Sequence, residues 1–381
     1  MRIPFNIPYI TGQEARYMND ALKSRFHCGN GEYSKKCIHL MKKNYGFADV
    51  FLTPSCTLAL EMGALLAGIG PGDEVIMPSY TFSSTANAVI RTGAIPVFCE
   101  ITPDTMNLDV NQLSKLVTRK TKMIIPIDYA GIPCDIESIM KIAKKNNLIV
   151  MVDSAQSFHS YYKDKPAAIL PDLAAFSFHE TKNISCGEGG ALVVNRREWI
   201  KRANFLQEKG TDRKLVLDGI KNKYHWVDIG SSFLLSDILA AMLLAQLENT
   251  EKIVKLRSKI TLEYNKLLKP FADSGHIMIP NPPKNVTINH HAYFVIFDSK
   301  KNRKIFLKKL NEKNIFPYIG YLPLHSSPMG KKYGYSPGDL PITQELASRI
   351  VRLPFYTDLA NTNLNICVEE MRNALNSIYE I

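Results

Sequence analysis

Short apolar, β-branched runs recur along the first half of the chain, each followed by a stretch whose apolar residues fall at helical spacing. Runs at 50–53, 74–77, 95–100, 122–127 and 148–152 have this form, and shorter ones follow at 173–178 and 191–195. Continuous apolar runs without polar alternation predict strands covered on both faces, the signature of a mostly parallel sheet with right-handed helical crossovers. Beyond Ser232 a long helical pattern runs from Leu234 to Leu247 and continues in charged form to Leu268. A second region then mixes a strand at 292–297, a basic helix at 303–313 and a loop rich in Pro, Tyr and His at 316–328. The pattern predicts an α/β protein: a large, mostly parallel domain over residues 1–250 and a smaller α+β domain over 251–381. A chain of 381 residues is also longer than one core usually serves.

The large region carries candidate chemistry at the ends of its runs. Lys182 follows the apolar stretch ending at Phe178 and precedes the glycine-rich turn Gly187-Glu-Gly-Gly190. A lysine held on a rigid edge can lose its proton and attack a carbonyl, which a hydrated surface lysine does poorly. The carbonyl partner this suggests is pyridoxal 5'-phosphate, and that cofactor has further needs. Asp153 ends the run 148–152 and can keep a pyridine nitrogen protonated, while Gln156 can donate to the ring hydroxyl oxygen. Ser55, Cys56 and Thr57 lie in a turn before a helix, where unpaired backbone N–H groups favour a phosphate, and Ser177 offers another hydroxyl. The same turn also reads as an ordinary helix cap. Tyr80 and Phe82 follow the run 74–77, and Phe82 is taken as the face for the ring.

Composition narrows the partners. The formal charge of +11 allows a nucleic acid, an anionic surface or an anionic small substrate. No nucleic-acid motif accompanies the charge, much of which falls on lysine-rich helical stretches such as 300–310, so an anionic substrate is expected. The richest apolar stretch, 238–247, is too short to cross a bilayer and no leader pattern opens the chain. Seven cysteines lie scattered without metal spacing, which predicts reduced thiols, no metal and a cytoplasmic protein.

Taken in order, Pro54-Ser-Cys-Thr57, Pro78-Ser-Tyr-Thr-Phe82, Asp153-Ser-Ala-Gln156, Ser177-Phe-His-Glu-Thr-Lys182-Asn and Gly187-Glu-Gly-Gly190 resemble the DegT/DnrJ/StrS sugar-nucleotide aminotransferases, from Ile3 to Tyr356. The segments 208–213, 228–237 and 321–325 look most like the branch that makes dTDP-4-amino-4,6-dideoxygalactose for cell-surface polysaccharides. The resemblance implies fold type I of the pyridoxal-phosphate enzymes (aspartate aminotransferase-like), with a dTDP-linked keto sugar and L-glutamate as substrates. It assigns Lys182 as the covalent anchor and proton carrier, Asp153 to the ring nitrogen, Phe82 to the ring face, and Cys56, Thr57 and Ser177 to the phosphate. It further implies a homodimer with shared active sites, the partner lending a phosphate contact through an asparagine. Ser232 stands at that asparagine position and Leu234 at the family's arginine position. His179, Lys209, Arg213, Tyr321 and His325 are candidate substrate contacts, with structural or solvated roles the competing reading for His179, Lys209 and Arg213. A transaminase of another keto sugar nucleotide, or a non-catalytic cofactor-binding sensor, is the alternative. A sugar dehydratase is disfavoured, because relatives of that kind carry histidine where this chain has Lys182.

Overall fold

The apolar runs form strands. The computed structural model describes residues 2–380, with β1 (Asp49–Thr53), β2 (Glu74–Pro78), β3 (Ile95–Cys99), β4 (Thr121–Ile124), β5 (Ile149–Asp153), β6 (Tyr161–Tyr162), β7 (Lys165–Pro166), β8 (Leu173–Ser177), β9 (Gly190–Val194), β10 (Ile277–Met278), β11 (Val286–Thr287), β12 (Phe294–Phe297) and β13 (Ile350–Arg352). Seven of them make one sheet in the order β1-β9-β8-β5-β4-β2-β3. The five strands from β8 to β3 are mutually parallel. Between β8 and β1, β9 runs the other way. Residues 178–189 link β8 to β9 without a helix, so the chain turns back beside itself and has no crossover that could restore the parallel direction. Every residue of β8 and β9 is buried, as strands covered on both faces require.

This reversal shapes the sheet edge. The first residue of β9, Gly190, lies opposite the last residues of both β1 and β8, Thr53 and Ser177. A Cβ on Gly190 would sit 2.4 Å from the carbonyl carbon of Ser55 and 2.5 Å from the Cys56 nitrogen. Only a bare backbone lets the turn into the helix Cys56–Leu66 come this close. Gly190→Ala is therefore expected to lower stability by about 1–3 kcal/mol through overpacking, measured by denaturant unfolding, and to weaken cofactor affinity.

The long helical pattern resolves into two helices, Asp237–Leu247 and Thr250–Asp273. A second antiparallel sheet, ordered β10-β12-β13, follows. Its side chains alternate as a strand demands. Val295, Phe297 and Val351 enter a core with the helices Thr250–Asp273, Lys300–Glu312 and Leu364–Tyr379. Phe294, Ile296 and Ile350 face the other way, onto Tyr80, Met106 and Tyr129 of the large sheet's surroundings. The amino-terminal residues belong to this second assembly. Ile3 is part of its core, and its backbone N–H donates to the Asn314 carbonyl at 2.9 Å while its carbonyl accepts from Phe316 at 2.9 Å. No helix of the described residues is long and apolar enough to cross a membrane.

Candidate active site

The carboxyl ends of β1, β2, β5 and β8 meet the small sheet around a cavity of about 440 Å³. Ligands of parallel α/β sheets gather at such edges. Lys182 lines the cavity from the β8–β9 connection. That connection is pinned by backbone bonds: Phe178 donates to Gly189 at 2.8 Å, Cys186 to Phe178 at 2.9 Å and Lys182 to His179 at 2.9 Å. The amine is pulled down to about 8, first by burial and then by the nearby guanidinium of Arg352, against the opposing pull of Cys56 and Asp153. A substantial fraction of such an amine is neutral near pH 7 to 8, as nucleophilic attack requires. Protonated amine cannot attack an aldehyde. The rate at which Lys182 captures the cofactor's aldehyde on the empty chain is thus expected to climb with pH and level off above about 8. Stopped-flow absorbance checks this, and a flat profile between about pH 6 and 9 would contradict it.

Asp153 reaches the same cavity from the end of β5. Burial raises its carboxyl above the usual range, while hydrogen bonds from Thr85 and Ala155 and the charge of Lys182 oppose the rise. Thr85 Oγ1 donates to Asp153 Oδ2 at 2.8 Å and the Ala155 N–H donates to Oδ1 at 3.2 Å. One carboxylate is thereby fixed in orientation, with a shortage of positive charge around it that a protonated ring nitrogen could relieve.

Around the helix Cys56–Leu66, the three turn residues divide the work. The Ser55 hydroxyl is the N-cap, accepting from the Leu58 N–H at 3.2 Å. The Cys56 thiol donates to the Ala175 carbonyl at 3.6 Å, and burial pushes its pKa well up, so it presents its backbone rather than a thiolate. Thr57 Oγ1 lies 2.7 Å from Ser84 Oγ, and both line the cavity with Ser177. Three hydroxyls, a helix N-terminus and the bare backbone at Gly190 match the donor set and close approach that a phosphate needs. Phe82 is 57% exposed at the cavity wall, its ring 6.1 Å from that of Tyr321. Gln156 accepts from the Ala130 N–H at 2.8 Å and donates through Nε2 to the Tyr321 hydroxyl at 3.0 Å. These residues fit pyridoxal phosphate: a free amine, a buried carboxylate, a phosphate cradle and an uncovered aromatic face border one space.

His179 and Tyr321 also line the cavity, His179 at its rim with Nδ1 3.0 Å from the Thr181 hydroxyl. Four other expected residues do not. His325 is fully buried, with Nδ1 2.7 Å from Ser79 Oγ and Nε2 3.4 Å from the Pro337 carbonyl. It clamps the 321–328 loop to the end of β2, which corrects its expected substrate contact. Lys209 and Arg213 lie beside the buried carboxylate of Glu208 at 3.5 and 3.9 Å, outside the cavity. Their charges face Glu208, and neither borders the cavity of this chain. Ser232 bridges to Glu208 through its backbone and is exposed, away from the cavity of its own chain.

Several cavity residues escaped the sequence reading. Ser84 lines the cavity and Thr85, on the same helix after Phe82, stands behind it holding Asp153; the consecutive hydroxyls of Ser83-Ser-Thr85 were the available signal. Phe5 forms part of the wall because its carbonyl accepts from Phe355 at 3.0 Å. His291 is buried with Nδ1 3.0 Å from Asn183 Oδ1, and Asn183 Nδ2 donates to the Asn289 carbonyl at 2.7 Å. Since a backbone carbonyl only accepts, Asn183 must present its oxygen to His291, whose Nδ1 carries the proton. Arg352, at the end of β13, gave no signal at all.

Fold and site together define a pyridoxal-phosphate-dependent enzyme of fold type I. Residues 8–372 match the DegT/DnrJ/EryC1/StrS aminotransferase family, and the chain belongs to it: a sugar aminotransferase. GDP-perosamine synthase of Escherichia coli O157:H7 is 30% identical over 361 residues, covering 94% of each chain. UDP-2-acetamido-2-deoxy-3-oxo-D-glucuronate aminotransferase of Pseudomonas aeruginosa is 31% identical over 324 residues, 83% of this chain and 84% of the other. Among solved structures, the apo form of Spr1654 from Streptococcus pneumoniae, assigned as a sugar aminotransferase, superposes with a TM-score of 0.92 at 26% identity over 100% of this chain and 99% of that one.

Proposed function

We propose that the enzyme moves an amino group from L-glutamate to C4 of dTDP-4-keto-6-deoxy-D-glucose, giving dTDP-4-amino-4,6-dideoxy-D-galactose for cell-surface polysaccharide synthesis. The observation that carries the aminotransfer is the meeting of Lys182 and Asp153 in one cavity beside a phosphate cradle. The sugar and its nucleotide rest on the resemblance of segments 208–213, 228–237 and 321–325.

Bound pyridoxal phosphate supplies an aldehyde that accepts the amino group and a ring that withdraws electrons from the adjacent carbon. Everything else falls to the chain. Thr57, Ser84, Ser177 and the N–H groups at Cys56 hold the phosphate, and Phe82 covers one ring face. Ser55 holds that helix end in shape as its cap. Asp153 keeps the ring nitrogen protonated, and Gln156 orients the ring hydroxyl from a position fixed by Ala130 and Tyr321. Lys182 takes the proton from the donor's α-carbon and delivers it elsewhere, then reverses the transfer on the sugar. Its depressed pKa suits both directions, because an amine near the working pH gives and accepts protons with similar ease. Ser232 is assigned to a partner subunit's phosphate in a homodimer, which accords with its exposure here.

The experiment offers 3-keto and 4-keto sugars on dTDP, UDP and GDP in parallel and reads the position and configuration of the new amine by NMR. Amination at C4 of the dTDP sugar with axial geometry is expected. A product aminated at C3, or a clear preference for another nucleotide, overturns the substrate assignment.

A further inference from the structure

The residues just before β12 are held more tightly than a loop requires. Asn289 donates through Nδ2 to the carbonyls of Gln156 and Phe158 at 2.9 and 2.8 Å, and its N–H donates to Ser160 Oγ at 3.1 Å. Arg257, buried in the helix Thr250–Asp273, donates through Nε to the His290 carbonyl at 2.8 Å and through Nη2 to the His291 carbonyl at 2.6 Å. His291 is thus fixed at its backbone, and its ring is fixed as well. The Nδ1 proton goes to Asn183, the residue after Lys182, and Lys182 is the foremost charge acting on the ring. The imidazole therefore stands beside the reacting amine.

That ring has one nitrogen to spare. With Nδ1 protonated and committed, Nε2 carries a lone pair and no proton. Among the described residues Nε2 has no hydrogen-bond partner and is not sealed inside the protein. On a side chain that is only 5% exposed and lines the cavity, the free nitrogen opens onto the cavity. Burial, then the charges of Lys182, Arg352 and Arg257, hold the ring's pKa well below the usual range, so the lone pair stays free at working pH. His291 presents an acceptor and no donor. An acceptor left unpaired in a closed site costs free energy that a ligand's donor recovers.

We propose that His291 Nε2 accepts a hydrogen bond from the hydroxyl on the sugar carbon next to the reacting carbonyl, which in a 4-keto-6-deoxy sugar is the C3 hydroxyl. The choice follows from which ligand groups can donate. The cofactor's phosphate is an acceptor with its own cradle at the ends of β1 and β8, and its ring hydroxyl is assigned to Gln156. The amino donor brings carboxylates, which only accept at neutral pH, and its nitrogen is occupied by the transfer itself. A sugar brings hydroxyls. Of the two carbons beside C4, C5 carries a methyl group and the ring oxygen, so only C3 offers a donor this close to the reaction. A rigid ring bonded to that hydroxyl fixes the turn of the pyranose over Lys182, and with it the carbon and the face that meet the amine. His291 thereby reads the sugar and not the amino donor, although the two occupy one cavity in turn.

This inference rests on the sugar half of the proposed function, and its test separates the two. Because the substrates react in turn, kcat/KM for each reports its own half-reaction. It is measured for L-glutamate, for dTDP-4-keto-6-deoxy-D-glucose and for the 3-deoxy analogue of that sugar, with the holoenzyme and its His291→Phe and His291→Gln variants. The unaltered enzyme is expected to favour the 3-hydroxy sugar by about tenfold or more, and His291→Phe to favour it by less than about threefold. His291→Gln, which keeps an acceptor oxygen, should lie in between. His291→Phe should also lower kcat/KM for the 3-hydroxy sugar at least about tenfold more than for glutamate, a split that a merely structural role would not produce. The comparison of the two sugars on the unaltered enzyme stands even if a variant does not fold. Equal use of both sugars by the unaltered enzyme, a preference that survives intact in His291→Phe, or equal losses for sugar and glutamate overturns the contact. If another keto sugar nucleotide proves to be the substrate, that sugar and its analogue lacking the hydroxyl beside the carbonyl take the same comparison. A preference that is lost in His291→Phe then keeps the contact while the dTDP-4-keto assignment fails, and a preference that is absent or retained overturns the contact too.

Discussion

Lys182→Ala is expected to lower kcat by at least about 10⁴-fold while leaving the fold intact, because one amine serves as both covalent anchor and proton carrier. The fold should survive because nothing is held up by this side chain. Its amine is half-buried against a cavity, and burial works against its charge, so removing it relieves a penalty rather than breaking a bond network. Thermal unfolding of the empty chain checks that half of the claim. Lys182→Arg separates charge from chemistry. A guanidinium retains the positive charge but stays protonated at any working pH, so this variant should fail as completely as the alanine variant. Small primary amines added to Lys182→Ala should restore part of the proton transfer, since the space left behind opens onto the cavity. Turnover in Lys182→Ala within tenfold of the unaltered enzyme would remove the basis of the proposed function.

Strand positions were legible because the large sheet is covered on both faces. Continuous apolar runs such as Ile149–Asp153 have few other uses, and their bounds agree with the pattern to within a few residues. Direction is not written in such runs. The reversal of β9 follows from the length of the β8–β9 link and from Gly190, which the sequence presented only as part of a glycine-rich turn. The small sheet ordered β11-β6-β7 was invisible for another reason: each strand has two residues, too few for any period to show. Its hairpin turns through Lys163 and Asp164 with φ of 48° and 61°, positions where glycine or asparagine would have signalled the turn.

Legibility of the site followed chemistry rather than location. Lys182 stood out because a lysine beyond a buried strand has few structural uses, and Asp153, which alone reads equally well as a cap or loop carboxylate, stood out beside it. Loop residues misled. His325 sits between prolines in a loop, yet Ser79, just past the end of β2, holds its ring, and burial lowers the pKa of that ring. Lys209 and Arg213 looked like diphosphate contacts, but Glu208 beside them already supplies their negative partner. Arg352 was missed because β13 is three residues long, so no alternation marked 352 as an inward position. What makes it informative is the contradiction between its charge and its face, and a face is known only once the strand has been paired.

Asp153→Asn is expected to separate stability from function in opposite directions. The carboxyl of Asp153 has its pKa raised by burial in the empty chain, despite the bonds from Thr85 and Ala155. For an acid whose folded pKa lies above its unfolded value, folding favours the protonated form. The stability associated with that preference is present below the unfolded pKa near 4 and declines as pH rises through the folded pKa. At neutral pH the charged Asp153 therefore burdens the empty protein. An asparagine of the same shape can still accept from Thr85 and forfeits only the longer bond from Ala155, whose N–H then meets a donor. Near pH 7 the empty variant should therefore unfold at a temperature equal to or above that of the unaltered chain. On acidification the gain should vanish, leaving the cost of the lost Ala155 bond. Catalysis should move the other way. With no negative charge at the end of β5, nothing keeps the ring nitrogen protonated, and kcat should fall by about 10²–10³-fold, the scale typical of losing one preorganised electrostatic contact. Thermal scans at several pH values and single-turnover rates measure the two effects independently. A variant that loses stability and activity together would show that Asp153 is a structural carboxylate, and one that keeps its activity would show that its charge is not what the reaction uses.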